Sequence, residues 1–536
     1  MSLFRKFASV GGATVASRVL GFVREAMIAS MLGAGPVADA FYAAFRFPNL
    51  FRRLFAEGAF NAAFVPLFAK QLEAGGEPAA RGFAEQVLSV LVLTLLLLSA
   101  LAMIFMPQLV ATIVAPRFAD TPDKFDLTVF LAQVMFPYLA AMSLVAMLSG
   151  ILNAFRKYFL AALAPVLLNV SMIAALSLAA LLEVATPRLG QALAFSVTLS
   201  GIAQLALLAY AVHRHGFGIR LARPRLTPAV RHMLWLALPA ALTGGIVQIN
   251  LLIGQIIASG QDGAIAIINY ADRLLQLPLG VIGIAIGVVL LPELSRALAA
   301  NDPREANQLQ NRSLEFGIGL TLPASVGLAL LPEAIVALVF ERGAFDRETT
   351  LLTARTLLFF AAGLPAFVMV KIFTPAFYAH EDMRTPMWCS SAAVLVNVVG
   401  SLLLFPSLGV VGIAIATALS GWSNALLLGG RLARLELLQL ETRTRWRLLL
   451  IVFASAMMGL VLWLAMQTYS PLMLDASLLT RIPVVLGTIS VAALVYFALV
   501  IATGAIERQQ LLRVLRRKRG GARGEATKVS DDRQVG

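Results

Sequence analysis

Long apolar runs, broken by short polar or basic turns, follow one another from about residue 8 to residue 504. A bilayer core takes about 20 apolar residues per helix. On that scale the runs predict about fourteen spanning helices. Their limits lie near 8–33, 37–70, 84–115, 127–154, 158–182, 189–213, 233–259, 264–298, 312–339, 350–379, 385–406, 409–430, 447–469 and 479–504. The second and eighth runs are long and hold prolines, Pro48 with Pro66 and Pro278 with Pro292. Prolines at those places predict bends, or helices that continue beyond the membrane. The expected class is an all-α polytopic membrane protein.

The breaks between runs alternate in charge. Arg214, Arg220, Arg223, Arg225 and Arg231 occupy one loop without an acid, and Arg431, Arg434, Arg443, Arg445 and Arg447 outnumber Glu436 and Glu441 in another. The tail carries Arg513, Arg516, Arg517, Lys518 and Arg519. Arg5, Lys6, Arg156, Lys157, Arg296, Arg304 and Arg384 fall on the same side, whereas the opposite turns balance their bases with acids. Basic loops stay in the cytoplasm, so both termini are expected there. The basic tail reads first as a topology anchor and second as a site for anionic lipid. The basic start at Met1 to Lys6 does not predict a cleaved signal, because the following run contains Arg18, Arg24 and Glu25.

A repeat underlies the runs. Pro137, Arg156 and Asn169 recur at one constant offset as Pro365, Arg384 and Asn397, and Pro66 recurs at nearly the same offset as Pro292. Six helices fit that offset, an even number, which gives two lobes of the same orientation plus two extra helices. The expected divisions are an N-terminal lobe at 1–215, a basic cytoplasmic loop at 216–232, a C-terminal lobe at 233–434, two further helices at 435–506 and a basic tail at 507–536. Two like lobes about a cavity suit an alternating-access transporter.

Composition narrows the function. Charged residues are 13% of the chain, about half the ~25% of a soluble globular protein. The net charge of +14 is scattered between apolar runs rather than gathered in a nucleic-acid stripe. A lone Cys389 and four histidines without acids at ligand spacing predict neither a disulfide nor a metal site. The chain has no Gly-Lys pair, hence no P-loop, and no cofactor is expected. Membrane potential or an unidentified ion is left as the energy source.

Some charges lie inside the runs, where an Arg costs about 2.5–3.5 kcal/mol on insertion scales. The first two runs hold Arg18, Arg24, Glu25, Asp39, Arg46, Arg52, Arg53 and Glu57; the eighth holds Asp272 and Arg273, and the tenth Lys371. Asp39, Arg46 and Arg53 are seven apart, nearly one helix face, with Glu57 four further on. For Arg46, Arg53 and Glu57 the plainer reading is structural pairing or snorkelling near helix ends. Arg18, Arg24, Arg52 and Arg273 have no such explanation and predict a water-filled, net-positive cavity. Arginine suits bidentate contact with phosphate or carboxylate, so the cargo is expected to be anionic. Gly21, between Arg18 and Arg24, permits a bend.

Ser17-Arg-Val-Leu-Gly-Phe-Val-Arg-Glu25 closely resembles the MurJ (MviN) lipid II flippases, as do Ala38-Asp-Ala-Phe-Tyr42, Phe45 through Phe60 and Tyr270-Ala-Asp-Arg-Leu274. The resemblance extends through all the runs. It implies the MOP exporter fold with fourteen helices, and transport of lipid II from the cytoplasmic to the periplasmic leaflet of the bacterial inner membrane. It also implies a groove for the lipid tail in the last two helices. Arg18, Arg24, Arg52 and Arg273 match the family's cavity arginines, and Asp39 its important acid. Ser17, Asp39, Arg53, Glu57 and Asp272 are expected to support the cavity or its gating. Lipid II, membrane phospholipids and cell-wall synthesis proteins are the expected partners.

Rival readings are a flippase of another undecaprenyl-diphosphate-linked oligosaccharide, a drug or cation antiporter of the same fold, and a non-transporting scaffold of cell-wall synthesis. A cation exporter would favour acids where this chain has arginines, and a scaffold would not need buried arginines. No large catalytic loop with paired acids supports a membrane glycosyltransferase, so a transporter rather than an enzyme is expected.

Overall fold

A computed structural model describes residues 3–53, 60–300 and 302–505, and every regular element among them is helical. In chain order these are α1 (Leu3–Leu32), α2 (Pro36–Phe51), α3 (Phe60–Ile104), α4 (Met106–Leu109), α5 (Pro122–Met135), α6 (Pro137–Ala154), α7 (Tyr158–Leu181), α8 (Thr186–Arg214) and α9 (Pro228–Ala258). They continue as α10 (Ala264–Ala299), α11 (Pro303–Leu330), α12 (Pro332–Val339), α13 (Arg347–Ala379), α14 (Arg384–Leu408), α15 (Val410–Arg434), α16 (Thr442–Leu474) and α17 (Leu478–Ala502). Glu57 and the basic tail lie outside the described residues.

Ten stretches among the described residues are long and apolar enough to cross a membrane. They correspond to the third to sixth and ninth to fourteenth runs. The other four runs centre on α1, α2, α9 and α10. Arg18, Arg24 and Glu25 interrupt the apolar sequence of α1, while α2 has only 16 residues. Within the second run α2 is described to Phe51 and α3 begins at Phe60; α3 turns sharply beyond that run, where Gly76 adopts φ +66°. In contrast, α10 continues from Ala264 to Ala299 with Pro278 and Pro292 inside it. Helix starts follow the local sequence. Thr227 caps α9 by accepting from the Val230 N–H, and Asp302 caps α11 by accepting from the Glu305 N–H, each just before a proline.

Large apolar side chains lie on the outside, among them Leu181, Leu403 and Leu479. Water would oppose this arrangement, whereas lipid tails accept it. Small residues let helices approach closely: a Cβ on Gly201 of α8 would meet Tyr138 and Ala141 of α6.

The chain forms two compact units. The first gathers the described residues through Leu274 with Val339–Thr356 and Ser390–Ser420. The second gathers Leu275–Leu338, Leu357–Cys389 and the described residues from Gly421 onward. In the second unit, α16 and α17 dock on α11. Arg447 donates to Glu315 at 2.8 Å, Thr444 donates to the same carboxylate at 2.6 Å, and the buried Tyr496 hydroxyl donates to the Gly319 carbonyl. Ile451, Met458, Leu462 and Val485 form the apolar seam around those bonds.

Outside the spans, two carboxylates organise helix starts. The Thr349 backbone N–H and hydroxyl hold the Asp346 carboxyl below its ordinary range ahead of α13. The Thr385 hydroxyl and N–H, with the Arg384 N–H, do the same to Asp382 ahead of α14.

Candidate functional site

The first unit contains a buried polar cluster built from α1, α2, α7 and α10. Arg24 on α1 is 8% exposed. Its Nη1 donates to the Asn169 side-chain oxygen on α7 at 2.9 Å, and its Nη2 pairs with Glu25. Asn169 in turn donates to the Ser17 carbonyl at 2.9 Å, so one amide ties α7 to α1 twice. Glu25 also accepts from the Tyr42 hydroxyl on α2 at 2.6 Å. Arg24 Nε is buried and has no hydrogen-bond partner among the described residues.

Arg273 of α10 joins this cluster. A Cβ on Gly21 would lie 2.6 Å from Arg273 Nη2, and the Glu25 carboxylate feels the charges of both Arg24 and Arg273. Helix α1 runs unbroken from Leu3 to Leu32. Gly21, which left a bend open in the sequence, instead provides a slot for a guanidinium. Two cations against one acid leave the cluster net positive, as an anion site requires.

The other expected residues take separate places. Arg18 is exposed on α1, nearly two turns before Arg24. Arg52 donates to Asn49 at 2.9 Å on its own helix, and Arg53 is exposed. Arg46 donates to Asn269 of α10 at 3.0 Å and feels the charges of Asp272 and Arg53. The structure thus brings Arg24, Arg273 and Ser17 together.

Asp39 belongs to a second cluster, at the turn between α1 and α2. It is fully buried, and its carboxylate accepts from Lys124 Nζ at 2.9 Å, the Gly263 N–H at 2.7 Å and the Ala266 N–H at 3.0 Å. The acid on α2 thereby caps the N-terminus of α10, where the helix dipole favours a negative charge. Lys124 also reaches Asp262 at 2.8 Å and lies 4.0 Å over the Phe118 ring.

Close backbone contacts surround this lock. Gly33 and Gly343 both take φ +60°, and Ala344 N–H donates to the Ser30 carbonyl at 2.7 Å. A Cβ on Gly33 would strike the Ala344 carbonyl, and one on Gly343 the Ser30 carbonyl. Tyr270 closes the layer by donating to the Gly33 carbonyl at 2.7 Å.

Sequence reasoning placed Lys124 in a polar turn and Asn169 in the repeat alone. The lysine's only signal was its position in an acid-rich turn, since a partner on a distant helix cannot be read from spacing. Asn169 had a better signal. Its repeat mate Asn397 donates to Asn250 at 2.8 Å, and Asn250 follows Arg24 at the same offset by which Pro292 follows Pro66. The repeat thus preserves an asparagine contact between corresponding helices while changing its partner from arginine to asparagine.

Residues 28–483 match the family described as lipid II flippase MurJ. The chain belongs to the lipid II flippase MurJ family. A probable lipid II flippase MurJ of Rhizobium tropici is 49% identical over 533 residues, covering 99% of this chain and all of that protein. That of Rhizobium meliloti (strain 1021) is also 49% identical, over the whole of both chains. The lipid II flippase MurJ of Burkholderia cenocepacia is 33% identical and covers 94% of this chain and 98% of its own.

Among solved structures, a lipid II flippase MurJ in an inward closed conformation aligns with a TM-score of 0.73 at 25% identity, over 91% of this chain and 98% of that one. An inward-facing MATE family multidrug transporter of the MOP superfamily aligns at 0.66 and 16% identity, over 78% and 95%. The latter establishes the shared fold alone. Membership of the MurJ family puts the chain among multi-pass membrane transporters, not enzymes.

Proposed function

We propose that this protein moves lipid II from the cytoplasmic to the periplasmic leaflet of the bacterial inner membrane, with both termini in the cytoplasm. The observation that carries the reading is the gathering of the buried Arg24 and the half-buried Arg273 near one acid, Glu25, with Arg24 Nε lacking a hydrogen-bond partner among the described residues. The diphosphate of lipid II is an anion that two guanidinium groups can grip. Arg18 and Arg52 extend the positive path for the diphosphate or for peptide carboxylates. Ser17 and Asp272 position the arginines that bind. The polyprenyl tail stays in lipid or lies along the last two helices.

Alternating access then needs a cavity that opens to one side at a time, with residues 1–215 and 233–434 acting as the two lobes. On this reading the Asp39–Lys124 pair and the Gly33 and Gly343 contacts act as the periplasmic gate. Outward opening separates them, and cargo release requires that the arginines bind less well in the open form, because equal affinity shifts no equilibrium. Charge displaced through the membrane field is worth ~2.3 kcal/mol per elementary charge per 100 mV, so membrane potential can drive the cycle. The work requires no cofactor, and cell-wall synthesis proteins use its product.

Complementation tests this reading. Cells depleted of their own lipid II flippase should grow when this protein is expressed and should fail with Arg24→Ala or Arg273→Ala at equal membrane levels. Failure of the wild type to support growth would refute the assignment. Full growth with both variants would refute the arginine site.

A further inference from the structure

An apolar cavity of about 500 Å³ lies within the first unit, away from the arginine cluster. Leu91, Thr94 and Leu98 of α3, Ser143 of α6 and Trp235 and Leu238 of α9 are among its walls. The size falls within the ~300–1,000 Å³ range of small-molecule sites. Both hydroxyls are already committed to their own helices, Thr94 to the Val90 carbonyl and Ser143 to the Leu139 carbonyl. The hydroxyls therefore leave the chamber walls apolar in character, poorly suited to a sugar.

One charged residue reaches it. Arg231, in the first turn of α9, lines the cavity, and its guanidinium has no hydrogen bond or ion pair among the described residues. The preceding loop is tied alongside. Thr227 donates to Gln86 at 2.8 Å, the Ala222 N–H to Ser89 at 2.9 Å and the Arg220 N–H to Glu85 at 3.1 Å. Arg220, Arg223 and Arg225 are exposed on that anchored loop, which has no acid of its own. Trp235 is 68% exposed, and its ring suits the membrane interface.

We propose that this cavity is a binding site for an anionic phospholipid of the cytoplasmic leaflet, with one acyl chain in the chamber and the phosphate on Arg231. An apolar chamber ending in a lone cation and a basic loop complements a molecule with a long apolar chain and a negative head. The volume suits an acyl chain rather than the much longer polyprenyl tail of the cargo. Its occupant touches α3 and α9 together, so it favours the conformation that keeps their present separation.

Binding of spin-labelled phosphatidylglycerol and phosphatidylcholine to the purified full-length protein in mixed vesicles tests this, with no transport step in the readout. The wild type should prefer phosphatidylglycerol. Arg231→Ala should reduce that preference about tenfold, the loss of one charge-assisted contact, and Arg231→Lys should retain most of it. Leu98→Trp should exclude both lipids. Equal binding of the two lipids by the wild type, an unchanged preference in Arg231→Ala, or displacement of phosphatidylglycerol by equimolar undecaprenyl phosphate would each overturn the proposal. Arg231 is exposed, so its variants test the site even if Leu98→Trp does not fold.

Discussion

Lys124 Nζ lies 2.9 Å from Asp39 Oδ2, and both side chains are buried. The two residues stand on different helices, α5 and α2, far apart in sequence. Removing one member of such a pair leaves the other charge uncompensated, at about 3–5 kcal/mol. Lys124→Met should therefore destabilise strongly, and adding Asp39→Asn should restore part of the loss. Thermal unfolding of the four proteins of the double-mutant cycle in one detergent gives the coupling directly. Additive losses would show that the two residues act separately.

Gly21→Ala isolates the slot. The added methyl clashes with the flexible end of Arg273, which can move aside, and meets Asn169 Oδ1 at an ordinary contact of 3.6 Å. Melting temperature should change little, while support of growth in flippase-depleted cells falls. A fully active Gly21→Ala protein would mean that the position of Arg273 against α1 is immaterial.

Gly343→Ala and Gly504→Ala separate strain from contact. Both glycines have positive φ, +60° and +71°, so each substitution carries backbone strain of ~1–2 kcal/mol. Only Gly343 also faces a backbone carbonyl, that of Ser30, whereas nothing lies within 4 Å of the Gly504 position. Gly343→Ala should lower the melting temperature more and raise the labelling of a cysteine placed at Ser30. Equal effects at the two sites would remove the contact from the account.

Asp382 gives a pH dependence outside the membrane. Its folded carboxyl titrates below the ordinary 3.8 because Thr385 and Arg384 donate to it. A lowered folded value stabilises above the unfolded pKa, and the contribution disappears as pH falls through the folded one. Asp382→Ala should thus melt below the wild type at pH 7, with the gap closing as the pH falls below about 3.8. A gap independent of pH would assign the loss to something other than the ionised cap.

Much of the fold was legible because the apolar runs report what lies in lipid. The α1 and α10 charges were legible for the converse reason, since an apolar run makes an arginine conspicuous. Lys124 was not conspicuous, because an acid-rich turn is an ordinary place for a lysine; only the tertiary fold buries it on Asp39. Glu25 and Tyr42 were visible as residues, but their shared bond depends on the approach of α1 and α2. Gly21 was legible only as a place where a bend was permitted; that α1 continues through it and gives room to Arg273 depends on the approach of α10.

The most direct measurement is the amount of lipid II exposed on the periplasmic leaflet in cells whose only flippase is this protein. The wild type should expose lipid II, while Arg24→Ala and Arg273→Ala, present in the membrane at equal amounts, should leave it facing the cytoplasm. Lipid II retained inside by the wild type, or exposed equally by both variants, would contradict the account.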